Sequence, residues 1–515
     1  MPSEALQYVK THRARLVIVV GGGAVGIYLA TQLARQQVPV LLIEKGGEGM
    51  TYFTDREFSV TGRPHGGVSN GRVQGLGGTT SLWGGQLVEF TEKDFSHRTH
   101  VPNWPMTLAE LKPHYAAVYE HLGYLPEDQS DPVVLARLTE PPSDMGDTEI
   151  FLTRWLAQPH FARHFANALD ADEIRYLMHA TVTGLRFAGA RCSGVNVSLS
   201  GADTVFLPAA QVVVAAGTLE SVRLLQNVAV HQPECPWRDS AMLGRYFQDH
   251  LAARVAELVP SGKHVVKRFS TIVQGRHRFQ PKLRLKQTGN DLNVCGFFAF
   301  DSSVSEQVAM LKQFLKALMT GARHDVLSLN LGKLLSTLQH VVPLVWAYLR
   351  HSRIYVPGDS HISLSIQSEV EPLWHQALSL DHSRVDEHGL HPLRMDWQLS
   401  GKEWPAIMDF VQCIARDLQA AGLGTLAIAP ALQDTAESSA AWLSQHATDT
   451  YHQAGGAIMG ACPDSSFVDA NLRIHGAVNV YVCGASTFPR SGYANTTLTA
   501  LAFAHRLANH LGTRA

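Results

Sequence analysis

The stretch LVIVVGGGAVGIYLATQLAR, residues 16–35, decides the fold of this chain. An apolar run leads into a glycine cluster, and apolar residues at helical spacing follow, which predicts a strand, a tight turn and a helix. The spacing of Gly21, Gly23 and Gly26 is typical of a dinucleotide-binding turn, because glycines let the backbone approach a pyrophosphate at the positive end of a helix. We therefore expect an α/β fold with a Rossmann-like unit at its start.

A carboxylate stands where such a turn requires one. The apolar run 38–43 ends in Glu44, which is placed to accept hydrogen bonds from a ribose 2′-hydroxyl. A glycine cluster before a helix also arises as simple turn chemistry, but the acidic residue after the second strand favours the nucleotide-binding interpretation. The chain is thus predicted to bind a cofactor that contains ADP-ribose.

Composition excludes several classes of function. With 515 residues, 45% of them hydrophobic, the chain is long enough for two interleaved domains. A formal net charge of −2 does not fit a nucleic-acid binder. The six cysteines form no C-x-x-C pair, which argues against zinc, an iron–sulfur cluster or a disulfide framework, so no metal site is predicted. The expected compartment is a reducing cytoplasm.

A second glycine-rich stretch, GRVQGLGGTTSLWGGQ at residues 71–86, predicts another cofactor contact. Its backbone N–H groups and hydroxyls can lie against a phosphate or a flat ring. A flexible surface loop is the alternative, but Leu82 and Trp83 in its middle favour burial. Two glycine-rich elements indicate a cofactor longer than one turn can hold.

The C-terminal region predicts a third contact. Residues 480–483 are typical of a strand, and Gly484 and Ala485 after it allow the backbone to approach a ligand. Apolar residues at helical spacing over 498–511 place Asn495 and Thr496 at a helix N-terminus. There the two side chains can cap the helix, and its dipole favours negative charge nearby.

The middle of the chain predicts a different architecture. Strands are expected at 270–273, 282–285, 292–299, 361–368, 377–380 and 393–399, and a helix at 404–421. These elements suit an antiparallel sheet that carries a helical insertion, residues 305–350, on one side. Within this insertion, the apolar segment 334–349 is shorter than the roughly 20 residues that a membrane-spanning helix needs. Packing against protein is therefore preferred to a position on a membrane surface, which a lipidic partner would favour.

In these residues the chain resembles the glucose–methanol–choline (GMC) oxidoreductases, FAD enzymes that oxidise alcohols, along almost its whole length. The N-terminal turn with Glu44 is similar to the family's ADP-binding turn, and residues 77–86 are similar to its flavin-approaching loop. Further similar segments are Trp104-Pro105, residues 179–182, VVVAAGTLESVRLL at 212–225, LGRYFQDH at 243–250, YHQAGGAIMG at 451–460 and the final stretch 479–507.

The resemblance implies an FAD-binding Rossmann-like domain interleaved with a substrate domain. The FAD-binding domain is expected at residues 1–95, 165–255 and 452–515, and the substrate domain at 96–164 and 256–451. Some family members tether the flavin to a histidine of the flavin-approaching loop, but residues 77–86 contain no histidine, so FAD is expected to bind noncovalently. The residues expected to contact it are Gly21, Gly23, Ala24, Val25, Gly26, Glu44, Gly77, Gly78, Thr79, Ser81, Leu82, Trp83, Gly84, Val182, Ala216, Gly217, Gly484, Ala485, Asn495 and Thr496.

The resemblance also implies the chemistry. Alcohol oxidation moves a hydride to flavin N5 while a base takes the hydroxyl proton, and histidine suits this task because its pKa lies near neutrality. His452 stands in the family's catalytic histidine motif. Asn495, at the position of a second histidine or an asparagine, can donate a hydrogen bond to the alkoxide. His250, His475 and His505 are expected to have structural or supporting roles.

The expected substrate is a primary or secondary alcohol of a small metabolite: a sugar, a polyol or a biosynthetic intermediate. YHQAGG is similar to the motif of the sterol-oxidising branch, which keeps a lipid alcohol as an alternative. A non-oxidative lyase on the same flavin scaffold is a second alternative. The electron acceptor, the distinction between oxidase and dehydrogenase, and the oligomeric state stay open from the sequence.

Overall fold

The computed structural model describes residues 2–54, 57–138, 140–170, 174–199, 204–287, 289–301, 352–354, 356, 360–433 and 435–513. In chain order its strands are β1 (Val17–Val20), β2 (Val40–Ile43), β3 (Thr51–Tyr52), β4 (Phe58–Gly62), β5 (Val73–Gln74), β6 (Gln86–Leu87), β7 (Thr148–Trp155), β8 (Arg175–Leu177), β9 (Ala180–Ala188), β10 (Arg191–Leu199), β11 (Thr204–Pro208), β12 (Gln211–Val214), β13 (Leu251–Pro260), β14 (Ile272–Gln274), β15 (His277–Leu285), β16 (Val294–Asp301), β17 (His361–Ser368), β18 (Leu378–Leu380), β19 (Leu393–Trp397), β20 (Gly424–Ile428), β21 (Thr448–Asp449) and β22 (Val480–Val482).

The helices of the described residues are α1 (Pro2–His12), α2 (Ala24–Arg35), α3 (Glu92–Phe95), α4 (Leu108–His121), α5 (Pro126–Gln129), α6 (Asp131–Ala136), α7 (Phe161–His164), α8 (Ala166–Asp170), α9 (Thr218–His231), α10 (Lys263–Phe269), α11 (Glu403–Ala420), α12 (Ala436–His446) and α13 (Thr496–Gly512). Short 3₁₀ turns lie at Gly66–Val68, Gly78–Ser81, Pro430–Leu432 and Ala485–Thr487.

A five-stranded parallel sheet carries the nucleotide-binding turn, with strand order β22-β12-β1-β2-β8. Strands β1 and β2 are buried along their whole length. Parallel sheets are covered on both faces, which is why these strands consist of Val, Leu and Ile without alternating polar residues. Helix α2 packs against β2 and against α13. The predicted Rossmann-like unit is confirmed.

Close backbone contacts explain two glycines of the turn between β1 and α2. Gly21 has a φ of 108°, and a Cβ at this position would lie 2.6 Å from the carbonyl oxygen of Ala215. A Cβ on Gly26 would overlap the carbonyl oxygen of Gly21. The first turn of α2 therefore crosses directly over the glycine loop, a path that only residues without a side chain permit.

A nine-stranded sheet forms the second half of the core. Its main path is β20-β13-β17-β16-β15-β7-β6, with β14 paired to β15 and β21 paired to β13, and all of these pairings are antiparallel. One face packs on α11, where a Cβ on Gly296 would lie 2.9 Å from the ring of Phe410. The predicted strands at 270–273, 282–285, 292–299 and 361–368 are confirmed in this sheet.

The two remaining predicted strands lie in a separate sheet. Strands β18 and β19 pair with each other in antiparallel fashion, but β19 then runs parallel to β4. The expectation of one antiparallel sheet is therefore wrong for residues 377–380 and 393–399. Strand β19 lies beside β4 because Trp397 is fully buried there against His65, with the two ring centroids 4.9 Å apart.

The longer helices pack on the two sheets and on each other. Helix α4 lies against α13, where the hydroxyl of Tyr115 is 2.7 Å from that of Thr499. The helix expected at 404–421 is confirmed as α11. The predicted helical insertion, residues 305–350, lies outside the described residues. Within the part of the chain that the structure describes, no helix has the length and apolar character needed to cross a bilayer.

Gly26→Ala is expected to destabilise the protein by more than about 2 kcal/mol, because the added methyl group overlaps the Gly21 carbonyl and the buried helix cannot move aside. Urea unfolding of the cofactor-free protein measures this change. Gly49→Ala is the matched control, since no atom lies within 4 Å of a Cβ placed there. Equal stability of the two variants would contradict the packing described for the turn.

Candidate active site

A cavity of about 720 Å³ lies at the carboxyl ends of β1, β12 and β22. In open α/β sheets ligands bind at this edge, because the chain leaves each strand there in loops that face the same crevice. Most of the predicted cofactor contacts line the cavity: Gly21, Gly23, Ala24, Val25, Glu44, Gly78, Thr79, Leu82, Trp83, Gly84, Val182, Ala216, Gly217, Gly484, Ala485, Asn495 and Thr496.

Three predicted contacts do not line this cavity. Gly26 lies beneath the turn, against Gly21. Gly77 and Ser81 face His160 instead, with the Ser81 hydroxyl 3.2 Å from Nε2 of the imidazole. Their role is thus to hold the loop at 77–86 against the segment that precedes α7.

The carboxylate of Glu44 ties the two glycine-rich elements together. One oxygen accepts the backbone N–H of Gly22 over 2.7 Å, and the other accepts those of Gly46 and Gly75 over 2.8 and 3.0 Å. A carboxylate has about four acceptor positions, so roughly one stays available for a ligand hydroxyl. Glu44 therefore organises the site before it meets any ligand.

The wall of the cavity fits an anionic dinucleotide such as FAD. No atom of the described residues lies within 4 Å of a Cβ placed on Gly23, Gly217 or Gly484, so these positions open onto the cavity. Helices α2, α9 and α13 all begin at this edge, and each N-terminus offers unpaired N–H groups and a positive partial charge. Phosphates are therefore favoured along the same wall that the glycines leave open.

His452 lies at the cavity wall among side chains from several distant segments. Its Nδ1 is 2.8 Å from the hydroxyl of Thr450, 3.1 Å from Nδ1 of His250 and 3.2 Å from Nε2 of Gln367. Its Nε2 is 3.0 Å from the side-chain amide of Asn495. The structure thus brings together His452 and Asn495, the two residues predicted to perform the chemistry.

Hydrogen-bond partners assign the tautomers of the two imidazoles. Nε2 of His250 lies 3.2 Å from the carbonyl oxygen of Ser491, which can only accept, so His250 donates there and keeps a lone pair on Nδ1. Gln367 donates to that lone pair over 2.8 Å. A neutral His452 that donates from Nδ1 then keeps its own lone pair on Nε2, beside Asn495. A proton acceptor therefore lies at the cavity wall.

The surroundings keep both imidazoles neutral. Burial, and to a smaller extent the neighbouring His250, lowers the pKa of His452 to about 3, while Asp249 acts in the opposite direction. Burial also lowers the pKa of His250. At neutral pH His452 is therefore in the form that can accept a proton, and the carboxylate of Asp249 stabilises the imidazolium that results.

Asp249 is the centre of the support behind His452, and sequence reasoning did not single it out. Its Oδ1 accepts the backbone N–H of His452 over 2.9 Å and the hydroxyl of Thr450 over 3.2 Å. Its Oδ2 lies 3.1 Å from Nε2 of the fully buried His65, whose Nδ1 is 3.5 Å from Asp449. Burial alone would raise the pKa of Asp249, but the imidazole of His65 beside Oδ2 keeps it below its usual value.

Sequence reasoning also missed His65, which lies in none of the segments that carry the family resemblance. The available signal was the pair Gly66-Gly67 directly after it, whose backbone N–H groups both bind the Asp449 carboxylate over 2.7 and 2.8 Å. The other two histidines expected to be structural lie outside this group: His475 contacts Ser466, and His505 contacts His114.

Two parts of the chain match models of known protein families. Residues 377–504, which contain His452 and Asn495, match the family model described as GMC oxidoreductase. This region is thus similar to the C-terminal domain of the GMC oxidoreductases. Residues 19–66 match the NAD(P)-binding Rossmann-like domain, in agreement with the turn at Gly21 and the position of Glu44. Both matches support the resemblance derived from the sequence.

Solved structures of similar fold include two oxidases and an FAD-dependent oxidoreductase. Pyridoxine 4-oxidase from Mesorbium loti superposes with a TM-score of 0.61 at 16% identity, over 96% of this chain and 98% of that one. A formate oxidase superposes with a TM-score of 0.59 at 15% identity, over 97% and 98%. An FAD-dependent oxidoreductase from Chaetomium thermophilum gives 0.59 at 16% identity, over 97% and 99%. At these identities the likeness concerns the fold.

A curated relative matches a short part of the sequence. The dehydrogenase str4 of Strobilurus tenacellus is 36% identical over 69 residues, which are 13% of this chain and 11% of that protein. The match thus spans about a tenth of that dehydrogenase.

Stability of the protein is expected to fall as the pH drops below about 6.5. The pKa values of His250 and His452 are lowered in the folded state, so the unfolded chain binds protons there that the folded protein does not. We expect the melting temperature to decrease by several degrees between pH 7.5 and pH 5, and His250→Gln to make that decrease smaller. His97→Gln, at an exposed position, is the control and should leave the slope unchanged.

Proposed function

We propose that this chain is an FAD-dependent oxidoreductase that oxidises an alcohol, with His452 as the general base and Asn495 as the orienting donor. The single observation that carries the proposal is the 3.0 Å contact between Nε2 of His452 and the Asn495 amide at the wall of a cavity suited to FAD. The matched GMC oxidoreductase domain supports the same reaction class.

The two residues divide the work at the substrate hydroxyl. The lone pair on Nε2 of His452 takes the hydroxyl proton, while the N–H of Asn495 donates to the oxygen and orients it. When bound, FAD supplies the acceptor for the hydride that leaves the same carbon. Helix α13 begins at Thr496, next to Asn495, and its positive end favours the negative charge that develops in the cavity.

Contacts on the far side of the imidazole from the cavity hold His452 in this orientation. The neutral tautomer of His452 is set by its contacts through Nδ1, and Asp249 holds the backbone on which the ring stands. Gln367 donates to His250 over 2.8 Å and to the carbonyl of Tyr493 over 2.7 Å, which links the imidazoles to the nine-stranded sheet. The base is therefore held from the sheet side as well as from the side of the Rossmann-like unit.

Replacement of the base tests the proposal. In anaerobic mixing with a panel of alcohols, the FAD-loaded protein should lose its visible flavin absorbance, and His452→Ala should reduce the rate by about 10²–10⁴-fold. Asn495→Ala should reduce it less, because the amide orients the oxygen without taking the proton. His264→Gln, at an exposed position on α10, is the matched control. Normal bleaching by His452→Ala would rule out His452 as the base.

We further propose that FAD is held without a covalent bond, because residues 77–86 contain no histidine. Acid precipitation of the purified protein should release the yellow colour into the supernatant, and the colour should pass a dialysis membrane. His160, which contacts Ser81 of this loop, offers a direct check. Colour that stays in the precipitate of the wild type but not in that of His160→Ala would contradict the proposal and identify the tether.

A further inference from the structure

Lys282 is a buried cation without a counter-ion among the described residues. Only 1% of its surface is exposed, and it takes part in no hydrogen bond or ion pair in the described part of the chain. Its close contact is the ring of Phe297, whose centroid is 5.3 Å from Nζ. Charged groups at this depth are normally paired, because removal of an ion from water costs several kcal/mol. The buried position of Lys282 is therefore unfavourable unless an anion binds beside it.

Strand register places Lys282 on the same sheet face as the support of His452. Cys295 on β16 pairs with Gln367 on β17 and with Arg284 on β15, so these three side chains share a face. Lys282 stands two residues before Arg284 on β15, and residues two apart point to the same side. Gln367 on this face contacts Nδ1 of His452 over 3.2 Å.

A residue on the other side of Lys282 on β15 connects the same sheet face to the cavity. Gln280, two residues before Lys282, accepts a hydrogen bond over 2.9 Å from the side-chain amide of Gln86. Gln86 lines the cavity that also holds His452. Lys282 thus stands on the sheet face between a residue that reaches the cavity wall and one that reaches the base.

Among the residues that the structure describes, the groups near Lys282 do not neutralise its ammonium. The carboxylate of Glu149 on the neighbouring strand is paired with Arg284 over 2.6 Å. The thiol of Cys295 stays protonated because burial raises its pKa. Burial lowers the pKa of Lys282, and the same positive charge contributes to the lowered pKa of His452. An anion beside Lys282 would stabilise the buried ammonium and offset its effect on the pKa of His452.

We propose that the alcohol oxidised at His452 carries an anionic group, a carboxylate or a phosphate, and that Lys282 binds this group. The inference rests on the proposed function, since it names the substrate class of the same site. Binding of the anion pairs the buried ammonium and places the hydroxyl on the side of the imidazole. Neutral alcohols lack this interaction and leave the ammonium unpaired.

The test compares matched acidic and neutral alcohols on the FAD-loaded protein. Anaerobic bleaching is measured with glycerate and glycerol phosphate against glycerol, and with gluconate against glucitol. Lys282→Met removes the charge at similar volume, and Lys282→Arg keeps it. Lys286→Met is the control for loss of an exposed lysine just after the end of β15. The expected result is a preference for one acidic class that Lys282→Met reduces by about 30-fold or more.

Thermal unfolding gives a second measurement that does not depend on turnover. Propionate and inorganic phosphate should raise the melting temperature of wild type and of Lys286→Met more than chloride of equal ionic strength, but not that of Lys282→Met. Lys282→Met without added anion should melt no lower than wild type, because it removes an unpaired buried charge.

The outcomes separate the two proposals. If neither anion stabilises the wild type beyond chloride, and neutral alcohols are bleaching substrates of Lys282→Met and wild type alike, the inference about Lys282 is overturned. If the anions stabilise the protein through Lys282 but no alcohol in the panel bleaches the flavin, anion binding stands and alcohol oxidation at His452 fails. A preference for glycerol phosphate over glycerate identifies phosphate as the anion, and the reverse identifies carboxylate.

Discussion

The carboxylate of Asp249 is the contact on which the rest of the site depends. It accepts the backbone N–H of His452 and lies 3.1 Å from the imidazole of His65, although these two residues are far apart in the sequence. A buried carboxylate needs several donors, so each of these segments is required for the others to stay in place. The base is therefore held by burial and hydrogen bonding at once.

A second constraint is electrostatic. Helix N-termini line one wall of the cavity, Lys282 shares a sheet face with Gln367 behind His452, and His250 and His452 between them are neutral. Such a cavity favours negative charge at both ends: phosphates on the side of the glycine turn and, by our inference, an anionic group on the side of the sheet. A neutral imidazole between two positive regions stays available as a proton acceptor.

Elements that form through contacts between residues close in the sequence were predicted correctly. The turn at Gly21 and the helix at Glu403–Ala420 were predictable, because glycine spacing and helical periodicity act over a few residues. Strand β17 was predicted at its observed bounds. The pairing of β19 with β4 was not predictable, because strand partners are chosen by contacts across more than three hundred residues, and periodicity alone does not name them.

The sequence by itself determined that a nucleotide-binding turn opens the chain, because the spacing of its glycines acts through immediate neighbours. The family resemblance of residues 451–507 singled out His452 and Asn495. Only the tertiary structure decided which groups surround them. His65, Asp249, Gln367 and Lys282 come from four separate segments, and their charges matter only because the fold removes water from between them and brings their atoms within hydrogen-bonding or Coulombic range.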